Sequence, residues 1–531
     1  MSQLQELAKG YEKEVSAEVR KQIEMNERID DMRGVINTKI DKETGEALPT
    51  SLNKSLGIQY VSKYYNMLNH GSLGGCFVAD GDVWKEIGSP EGWLVTQLEQ
   101  DVCEALGTTY IPVDRIYYDV KNIAKDYVNL YATQNGEGSP LLNGGHGDVI
   151  AFSNGTYDFK TKELRDTTLE DYQLFKLPYP LVKPDEGETL LANEWLEWLV
   201  GKESALGLKQ FIGFCLHKDY DHIAAYAMLI NDSNATNGQN GKSYVMDFIQ
   251  LILGAPKFKT VSPHVSGIGL QQFGGSEARF IKVGLRGNLA NMKDDENDTF
   301  IERTGDLKSM TDGGDIFTDV KGKGAIKFRA QAKFIFGMNH LPSFRDDSKG
   351  MRSRMFIVPF IRSLDEPEEM ALFAEKGAKF HIDQQKEFMF SHDYLGKFVY
   401  ECIEEYNKAY ATNERNPFNM SDRAREMIGD LMATNDPLSS FMTIKGYEIT
   451  GDESDMVLHD VFMEDYNEFA QRNAMSVNNL YNLLESEGVQ VRIRNGYTAK
   501  GTQKFRSITK RFKDTDQFTS KVMLGIIKVE E

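Results

Sequence analysis

Cysteine is scarce in this chain, which has only four among 531 residues. They stand far apart and form no C-x-x-C pair; the four are Cys76, Cys103, Cys215 and Cys402. This usage argues against a disulfide framework and against a cysteine-based zinc site. It predicts a protein of a reducing compartment, the cytoplasm.

Long apolar runs and an excess of positive charge are also missing. No apolar run approaches the ~18 residues of a membrane-spanning helix, and the polar start of the chain is unlike a signal peptide. The net charge of −19 speaks against a uniformly basic coat for nucleic acid, but it leaves a local basic stripe or a central channel open. The length and the 40% hydrophobic content predict a soluble globular protein of roughly three or four domains, with no membrane partner.

The stretch from residue 223 to residue 254 predicts a strand, a polar loop and a helix. It begins with the apolar run IAAYAMLI and ends with YVMDFIQLILG, whose apolar residues recur with a helical period up to the stop signal Gly254. The loop between them is rich in Gly and Asn and ends in Gly241-Lys242-Ser243. Backbone N–H groups of such a loop, together with the helix N-terminus, point towards an anion.

These features predict a phosphate loop that binds ATP with Mg²⁺. Lys242 would reach the β- and γ-phosphates and the Ser243 hydroxyl would hold Mg²⁺, while Asn240 and Gly241 complete the binding residues. The full pattern G-x-x-x-x-G-K-[ST] puts its first glycine at position 236, where this chain has threonine. We therefore expect Gly238 to supply the flexible turn. The alternative is an ordinary Asn/Gly surface turn that contains Gly-Lys-Ser by chance.

An acidic motif follows in the sequence KDDE, residues 293–296. We expect it to end a strand that opens at Leu285. A carboxylate pair beside a phosphate loop can hold Mg²⁺ and polarise the attacking water, so Asp294 and Asp295 are the candidates for metal binding and catalysis. Glu296 is the alternative if the register differs by one, and an acidic surface loop is the non-catalytic interpretation.

Three further motifs stand between residues 311 and 360. The strand-like runs DIFTDV and AIKFRA flank the sequence KGKG and predict a hairpin with Lys321 and Lys323 at its tip. The next run, KFIFGM, ends at Asn339. Arg352 and Arg354 then precede the apolar run MFIVPF.

Taken in order, these motifs resemble those of superfamily-3 helicases, and within them the poxvirus-type primase-helicase family found in phages and mobile elements. The likeness extends from about Val149 to Phe360, starting with a hairpin turn at Asn154-Gly155, and continues more weakly towards the C-terminus. The resemblance implies an AAA+-like P-loop ATPase core that works as a homo-hexameric ring on single-stranded and forked DNA in a bacterial host cytoplasm. It also implies a separate primase or single-strand-binding protein as candidate partners.

The same resemblance implies roles for individual residues. Asn339 resembles the sensor that contacts the γ-phosphate or the attacking water. Arg354 resembles the finger that enters a neighbouring subunit's site, with Arg352 as second candidate and a surface ion pair as the structural alternative. Lys321 and Lys323 resemble the pore hairpin that grips the DNA backbone, a contact independent of sequence.

The fold prediction is an α/β multidomain protein with four segments. They are a helical segment over 1–55, an α+β accessory domain over 56–195, the ATPase domain over 196–395 and a winged-helix-like DNA-binding domain over 396–531. The last segment concentrates basic residues, and the DNA-binding candidates there are Arg492, Arg494, Lys504 and Arg506. A solvated face that balances charge is the alternative.

The sequence as a whole predicts an ATP-driven replicative DNA helicase or translocase of a phage or mobile element. A loader or origin-opening ATPase without processive unwinding is a second interpretation. A non-enzymatic DNA-binding replication protein with a degenerate phosphate loop is a third, which Thr236 keeps open. A primase-helicase is disfavoured, because the first ~140 residues lack room for a polymerase domain.

Overall fold

The computed structural model describes residues 2–69, 75–132, 140–232, 240–274, 278–296, 304–320, 324–339, 342, 349–362, 391–435, 438, 441–442, 445–452, 455–470, 477–497 and 517–528. These residues form two compact units. The first comprises Met1–Glu296, Gly305–Asn339 and Ser353–Ser421, and the second contains the C-terminal region from Asp422 onward. No helix in the described ranges is long and apolar enough to cross a membrane.

The first unit begins with helices around small antiparallel sheets. The elements are α1 (Ser2–Val35), β1 (Ile36–Ile40), β2 (Ala47–Leu52), α2 (Lys54–Tyr64), β3 (Met67–Asn69), β4 (Cys76–Asp80), β5 (Val83–Ile87), α3 (Pro90–Leu106) and α4 (Asp114–Asp126). Residues such as Val61, Leu94 and Val120 are fully buried and hold these elements around one core. The prediction that residues 1–55 are helical is wrong after Val35, because β1 and β2 pair there as a hairpin.

A third antiparallel sheet follows, formed by β6 (Val149–Phe152), β7 (Gly155–Asp158) and β8 (Glu163–Arg165). The predicted Asn154-Gly155 turn is confirmed, since Phe152 pairs with Gly155 across it. Gly155 has a φ of 149°, a conformation that glycine adopts without strain. The Asn154 side chain accepts a hydrogen bond from Leu181 N and donates one to Leu181 O, which fixes the turn against the next segment.

A five-stranded parallel sheet forms the centre of the first unit. The helices and strands of this part of the unit are α5 (Leu191–Val200), α6 (Lys202–Leu216), β9 (Tyr226–Asn231), α7 (Lys242–Ile252), β10 (Val265–Ser266), α8 (Ala278–Ile281), β11 (Ala290–Glu296), α9 (Gly305–Met310), β12 (Asp315–Val320), β13 (Gly324–Arg329), β14 (Lys333–Met338), β15 (Met355–Phe360) and α11 (His392–Tyr410). The short helix α10 (Lys349–Arg352), between β14 and β15 in the sequence, belongs to the second unit. The strand order is β10-β11-β14-β9-β15, and every neighbouring pair is parallel. Because β14 lies between β9 and β11, the carboxyl ends of these three strands meet at one edge of the sheet.

Burial on both faces explains why the sequences of these strands are continuous apolar runs. All six residues of β14 and of β15 are buried, as expected of parallel strands covered on both faces. The strand expected to open at Leu285 instead begins at Ala290, after a 3-10 turn over Lys282–Leu285. Asn291 lies inside this strand because its buried side-chain amide bonds both the N–H and the C=O of Ile268.

Two predicted domain limits fall inside helices of this unit. The limit at 195/196 lies within α5 and the limit at 395/396 lies within α11. Both helices belong to the same core as the parallel sheet, where Leu196, Phe248 and Phe398 are buried together. Strands β12 and β13 stand apart from that sheet as a two-stranded antiparallel hairpin.

The second unit contains the elements α12 (Asp422–Asn435), β16 (Tyr447–Ile449), β17 (Met456–Leu458), α13 (His459–Ala470), α14 (Val477–Ser486), β18 (Gln490–Tyr497), β19 (Gln517–Leu524) and β20 (Ile526–Lys528). Three of the strands form an antiparallel sheet in the order β17-β19-β18. Phe441, Phe462 and Leu484 are fully buried in the core of this unit. The α/β multidomain prediction is therefore confirmed at the level of the fold class.

Candidate active site

The predicted phosphate loop leads directly into α7. Gly241 caps this helix with a φ of 84°, in the left-handed region that favours glycine. A Cβ at this position would lie 3.0 Å from Leu199 Cδ2, so the loop approaches α5 closely. Asn240 is 3% exposed, and its Oδ1 accepts a hydrogen bond from Lys242 N at 3.2 Å. Gly238 and Thr236 lie outside the described residues.

Lys242 and Asn339 come together from two neighbouring strands. Lys242 follows β9 through the loop, and Asn339 directly follows β14. Lys242 Nζ donates a hydrogen bond to Asn339 Oδ1 at 3.1 Å. Lys242 is only 4% exposed, and a buried ammonium group needs acceptors of this kind.

Ser243 and Asp294 form the second contact of the site. Ser243 Oγ donates a hydrogen bond to Asp294 Oδ2 at 2.7 Å. Asp294 lies at a β-bulge, since the register between β11 and β14 shifts between Lys293 and Glu296. Asp295 has a φ of 50° there, and its N–H donates to Asp294 Oδ1 at 3.0 Å. The bulge redirects the chain so that the Asp294 carboxylate faces the start of α7.

Gly337 provides the room for this carboxylate. A Cβ on Gly337 would lie 2.3 Å from Asp294 Oδ1 and 2.9 Å from Met246 Sδ. No side chain fits at that distance without displacing Asp294. A glycine inside the apolar run KFIFGM is the sequence signal from which this close approach could have been predicted.

The remaining acidic candidates are placed differently. Asp295 is exposed beside the bulge. Of the two predicted aspartates, Asp294 is the one that contacts Ser243. The side chain of Glu296 lies outside the described residues. Asp247, one turn after Ser243 on α7, was missed by the sequence analysis. Burial raises the pKa of Asp247, the negative charge of Asp294 raises it further, and Lys259 opposes both.

Arg354 is held by an ion pair within this chain. It is 5% exposed, and its guanidinium forms an ion pair with Asp312. Arg415 binds the other carboxylate oxygen of Asp312 at 2.8 Å. Arg354 also precedes β15, so it lies at the amino end of a sheet whose carboxyl ends carry the contacts above. Arg352 is half-buried at the end of α10.

The hairpin formed by β12 and β13 exposes an aromatic residue. Phe317 is 64% exposed, and Lys327 Nζ lies 5.6 Å from the centre of its ring on the paired strand. Phe280 on α8 is 40% exposed, and the guanidinium carbon of Arg279 lies 4.8 Å from its ring centre. Lys321 and Lys323, predicted at the hairpin tip, lie outside the described residues.

The C-terminal DNA-binding candidates are described only in part. Arg492 and Arg494 belong to β18, which pairs antiparallel with β19. Their side chains lie outside the description, as do Lys504 and Arg506 altogether. Their predicted role in DNA binding stays a prediction.

Comparisons with known proteins give little functional information. A family described as of unknown function (DUF5906) matches residues 235–354, the segment from the loop to Arg354. No curated protein matches the chain. Two apo structures of the C-terminal region of NrS-1, both in the A form, are similar at 13% identity over 81% of this chain. They are covered over 84% and 86% of their own length, with TM-scores of 0.38 and 0.41. A likeness of this size says nothing about activity.

Proposed function

We propose that this chain is an ATP hydrolase whose turnover drives movement along DNA. The observation that carries the proposal is the pair of contacts made by two consecutive residues, Lys242 with Asn339 and Ser243 with Asp294. These contacts gather an ammonium, an amide, a hydroxyl and a carboxylate at the carboxyl edge of a parallel sheet. Ligands of open α/β sheets bind at that edge.

The residues present fit a magnesium nucleotide. A hydroxyl and a carboxylate 2.7 Å apart are hard oxygen ligands of the kind that Mg²⁺ prefers, so Ser243 and Asp294 would hold the ion. When bound, Mg²⁺ would neutralise charge on the phosphate oxygens. Asn240 Nδ2 is buried and has no hydrogen-bond partner among the described residues, which leaves a donor for an anionic oxygen.

The protein groups have distinct roles in this proposal. Lys242, at the N-terminus of α7, stabilises negative charge on the transferred phosphoryl group together with the helix dipole. Asn339 orients the Lys242 ammonium and can hydrogen-bond the attacking water. Asp294 is the carboxylate that we assign to the metal, and Asp295 is the candidate for polarising water.

The DNA-dependent part of the proposal rests on the motif resemblance and on the hairpin. Exposed Phe317, with Lys327 beside it, offers a ring on which a base can stack and a charge for the backbone. In the second unit, helix α14 followed by the paired strands β18 and β19 supports the winged-helix-like prediction. We propose that the chain acts as a homo-hexameric helicase or translocase on single-stranded DNA.

The ring also needs an arginine that acts on the neighbouring subunit's nucleotide. Arg354 is the first candidate. Because Asp312 binds its guanidinium in the isolated subunit, we propose that Arg354 exchanges this carboxylate for phosphate oxygens when subunits assemble. Arg352 is the second candidate.

A measurement of ATP hydrolysis with and without single-stranded DNA tests the proposal. We expect Mg²⁺-dependent hydrolysis that DNA stimulates, and we expect Ser243→Ala to lose most of it. Absence of hydrolysis under both conditions would favour the non-enzymatic DNA-binding alternative. A strand-displacement assay on forked DNA then separates a helicase from a loader, since only the helicase unwinds processively.

A further inference from the structure

Three side chains from distant parts of the sequence converge on a point that the proposed ATPase chemistry does not use. Asp148 directly precedes β6, His217 ends α6, and Asp221 stands in the turn that follows. His217 Nε2 lies 3.5 Å from Asp148 Oδ1 and 3.9 Å from Asp221 Oδ2. One ligand atom from each residue falls within 4.8 Å of the other two.

The imidazole of His217 is buried and aimed into this cluster. Its side chain is 3% exposed, and Nε2 has no hydrogen-bond partner among the described residues. Distances of 3.5 and 3.9 Å to the carboxylates are too long for a strong N–H···O bond. A buried ring nitrogen left without a partner costs free energy, so this atom requires an explanation.

The other ring nitrogen fixes the orientation of His217. Nδ1 lies 2.6 Å from the hydroxyl of Tyr406, which is buried on α11, and the Phe159 ring stacks on the imidazole at 4.6 Å. When Nδ1–H donates to this hydroxyl, Nε2 carries a lone pair directed at the two carboxylates. Histidine ligands of metal ions are oriented by an outer hydrogen bond of this kind.

Both carboxylates are held in a similar way. Tyr410 donates from its hydroxyl to Asp221 Oδ2 at 2.8 Å, and Lys160 Nζ donates to Asp148 Oδ2 at 2.6 Å. Because Lys160 binds Oδ2, the other carboxylate oxygen of Asp148, Oδ1, remains directed towards His217.

We propose that Asp148, His217 and Asp221 form a binding site for a divalent transition cation of the Zn²⁺ class. Zn²⁺ binds His nitrogen and Asp oxygen at roughly 2.0–2.2 Å in tetrahedral geometry, and tetrahedral bonds of that length separate neighbouring ligand atoms by about 3.3–3.6 Å. The separations of 3.5 and 3.9 Å from His217 Nε2 are close to this range. The two carboxylate oxygens lie within 4.8 Å of each other, and they must approach by up to about 1.2 Å to bind one ion. An imidazole ligand favours Zn²⁺ and its neighbours over Mg²⁺, which prefers oxygen.

The site would act as a structural clamp. Asp148 introduces the β6–β7–β8 sheet, His217 and Asp221 flank the approach to β9, and the tyrosines that orient the ligands come from α11. A cation that binds the folded chain and not the unfolded one raises stability by mass action. The proposed clamp is independent of the ATPase proposal, since none of its residues contacts Lys242, Ser243, Asp294 or Asn339 in the described part of the chain.

Calorimetric titration of the full chain with Zn²⁺, after removal of metals and without nucleotide, tests the site. Absorption of bound Co²⁺ serves as a second probe, because its visible bands report a tetrahedral environment. We expect one site whose affinity falls about tenfold or more in Asp221→Asn and in His217→Gln. Zn²⁺ should also raise the melting temperature of the wild type and not that of Asp221→Asn.

Two control variants make the outcome specific. Asp219→Asn removes a neighbouring negative charge that pairs with Arg329, while its amide oxygen can still accept from Tyr220 N and Asp221 N; it should bind Zn²⁺ like the wild type. Asp294→Asn removes the carboxylate assigned to Mg²⁺ and should also retain the Zn²⁺ site. Half-exposed Asp221 keeps the test informative if His217→Gln fails to fold. Equal Zn²⁺ binding by the wild type and Asp221→Asn would overturn the proposal and favour a histidine–carboxylate ion pair.

Discussion

Lys242 Nζ lies 3.1 Å from Asn339 Oδ1 across 97 positions of sequence. The contact exists because β9 and β14 are neighbours in the sheet, with Ile230 paired to Met338 just before the two residues leave their strands. It joins the group that we expect to meet the phosphates with the group that we expect to sense them. A change in one side chain should therefore alter the position of the other.

Lys242→Ala should abolish ATP hydrolysis, with a loss of about 100-fold or more, because it removes the charge that meets the β/γ-phosphates. Steady-state hydrolysis measures the loss, and circular dichroism shows that the fold persists. Lys259→Ala is the matched control, since Lys259 is an exposed lysine that contacts Tyr244 instead. Hydrolysis of ATP at the wild-type rate by Lys242→Ala would contradict the assignment of this loop as a phosphate loop.

Gly337→Ala should weaken the response to Mg²⁺. The added methyl would lie 2.3 Å from Asp294 Oδ1, so the carboxylate must move away from Ser243. We expect a higher Mg²⁺ concentration at half-maximal hydrolysis and a stability loss of about 1–3 kcal/mol from overpacking. Gly284→Ala is the control, since a Cβ there meets nothing within 4 Å. An unchanged Mg²⁺ titration in Gly337→Ala would show that Asp294 does not hold the ion.

Local pattern was enough to predict the strands of this site and the helix that follows Gly241. The apolar runs that became β9, β14 and β15 and the helical period after Gly241 depend on neighbouring residues alone. The Asn154-Gly155 turn was predictable for the same reason. The extent of β11 was not, because Asn291 is accommodated only by bonds to Ile268 from another segment.

Contacts between distant segments escaped the sequence analysis. The bulge at Asp294 forms because β11 pairs with β14. Gly337, which leaves room for the Asp294 carboxylate, is 43 positions away in the sequence, the difference between 337 and 294. Asp148 and His217 likewise come from distant segments, which are joined there by the hydrogen bond from Lys218 N to Gly147 O. The hairpin after Val35 was missed because its strands are mostly exposed and carry no apolar run.

Arg354→Ala should lose hydrolysis while it retains nucleotide binding. Mixed with Lys242→Ala subunits, it should recover partial activity, because some interfaces then combine an intact loop with an intact arginine. Failure of every mixture, despite demonstrated subunit exchange, would argue against a site shared between subunits.

The variant Asp312→Asn distinguishes a catalytic role of Arg354 from a purely structural one. It breaks the ion pairs of Asp312 with both Arg354 and Arg415 but keeps both arginines. If Arg354 serves only to hold Asp312, both variants should lose stability, and neither should lose turnover beyond its loss of folded protein. If Arg354 acts in catalysis, only Arg354→Ala should lose turnover.

Phe317→Ala should weaken binding of single-stranded DNA by about 1–3 kcal/mol, because a base can stack on this exposed ring. Fluorescence anisotropy with labelled DNA measures the change. Basal hydrolysis should survive, since β12 lies outside the parallel sheet.

The double variant Lys321→Ala with Lys323→Ala should also weaken binding of single-stranded DNA, and it should reduce the salt dependence of that binding. Suppose that both variants unwind DNA normally and that truncation after Asn435 abolishes DNA binding. The main DNA contacts would then lie in the C-terminal segment and not in the hairpin.

The last prediction concerns Lys333, which is fully buried at the start of β14. Its Nζ donates to Gln331 O at 2.7 Å and lies 4.1 Å from the Tyr220 ring centre. Burial lowers the pKa of Lys333 from 10.5 to about 7, with Cys215, Asp219, Asp221 and Lys218 as the charged or titratable neighbours. Between these two values the unfolded chain carries a proton that the folded chain lacks.

The free energy of unfolding should therefore rise with pH in this window. The contribution is fully present above the unfolded pKa and is lost as the pH falls through the folded pKa, with a slope of about 1.4 kcal/mol per pH unit for one lysine. Urea unfolding at about pH 7.5 and about pH 9 measures it, and Lys333→Met should remove roughly 2 kcal/mol of the difference between them. Lys327→Met, which changes an exposed lysine paired with Asp315, should keep the wild-type slope. A Lys333→Met variant with the wild-type slope would show that Lys333 stays protonated in the folded protein.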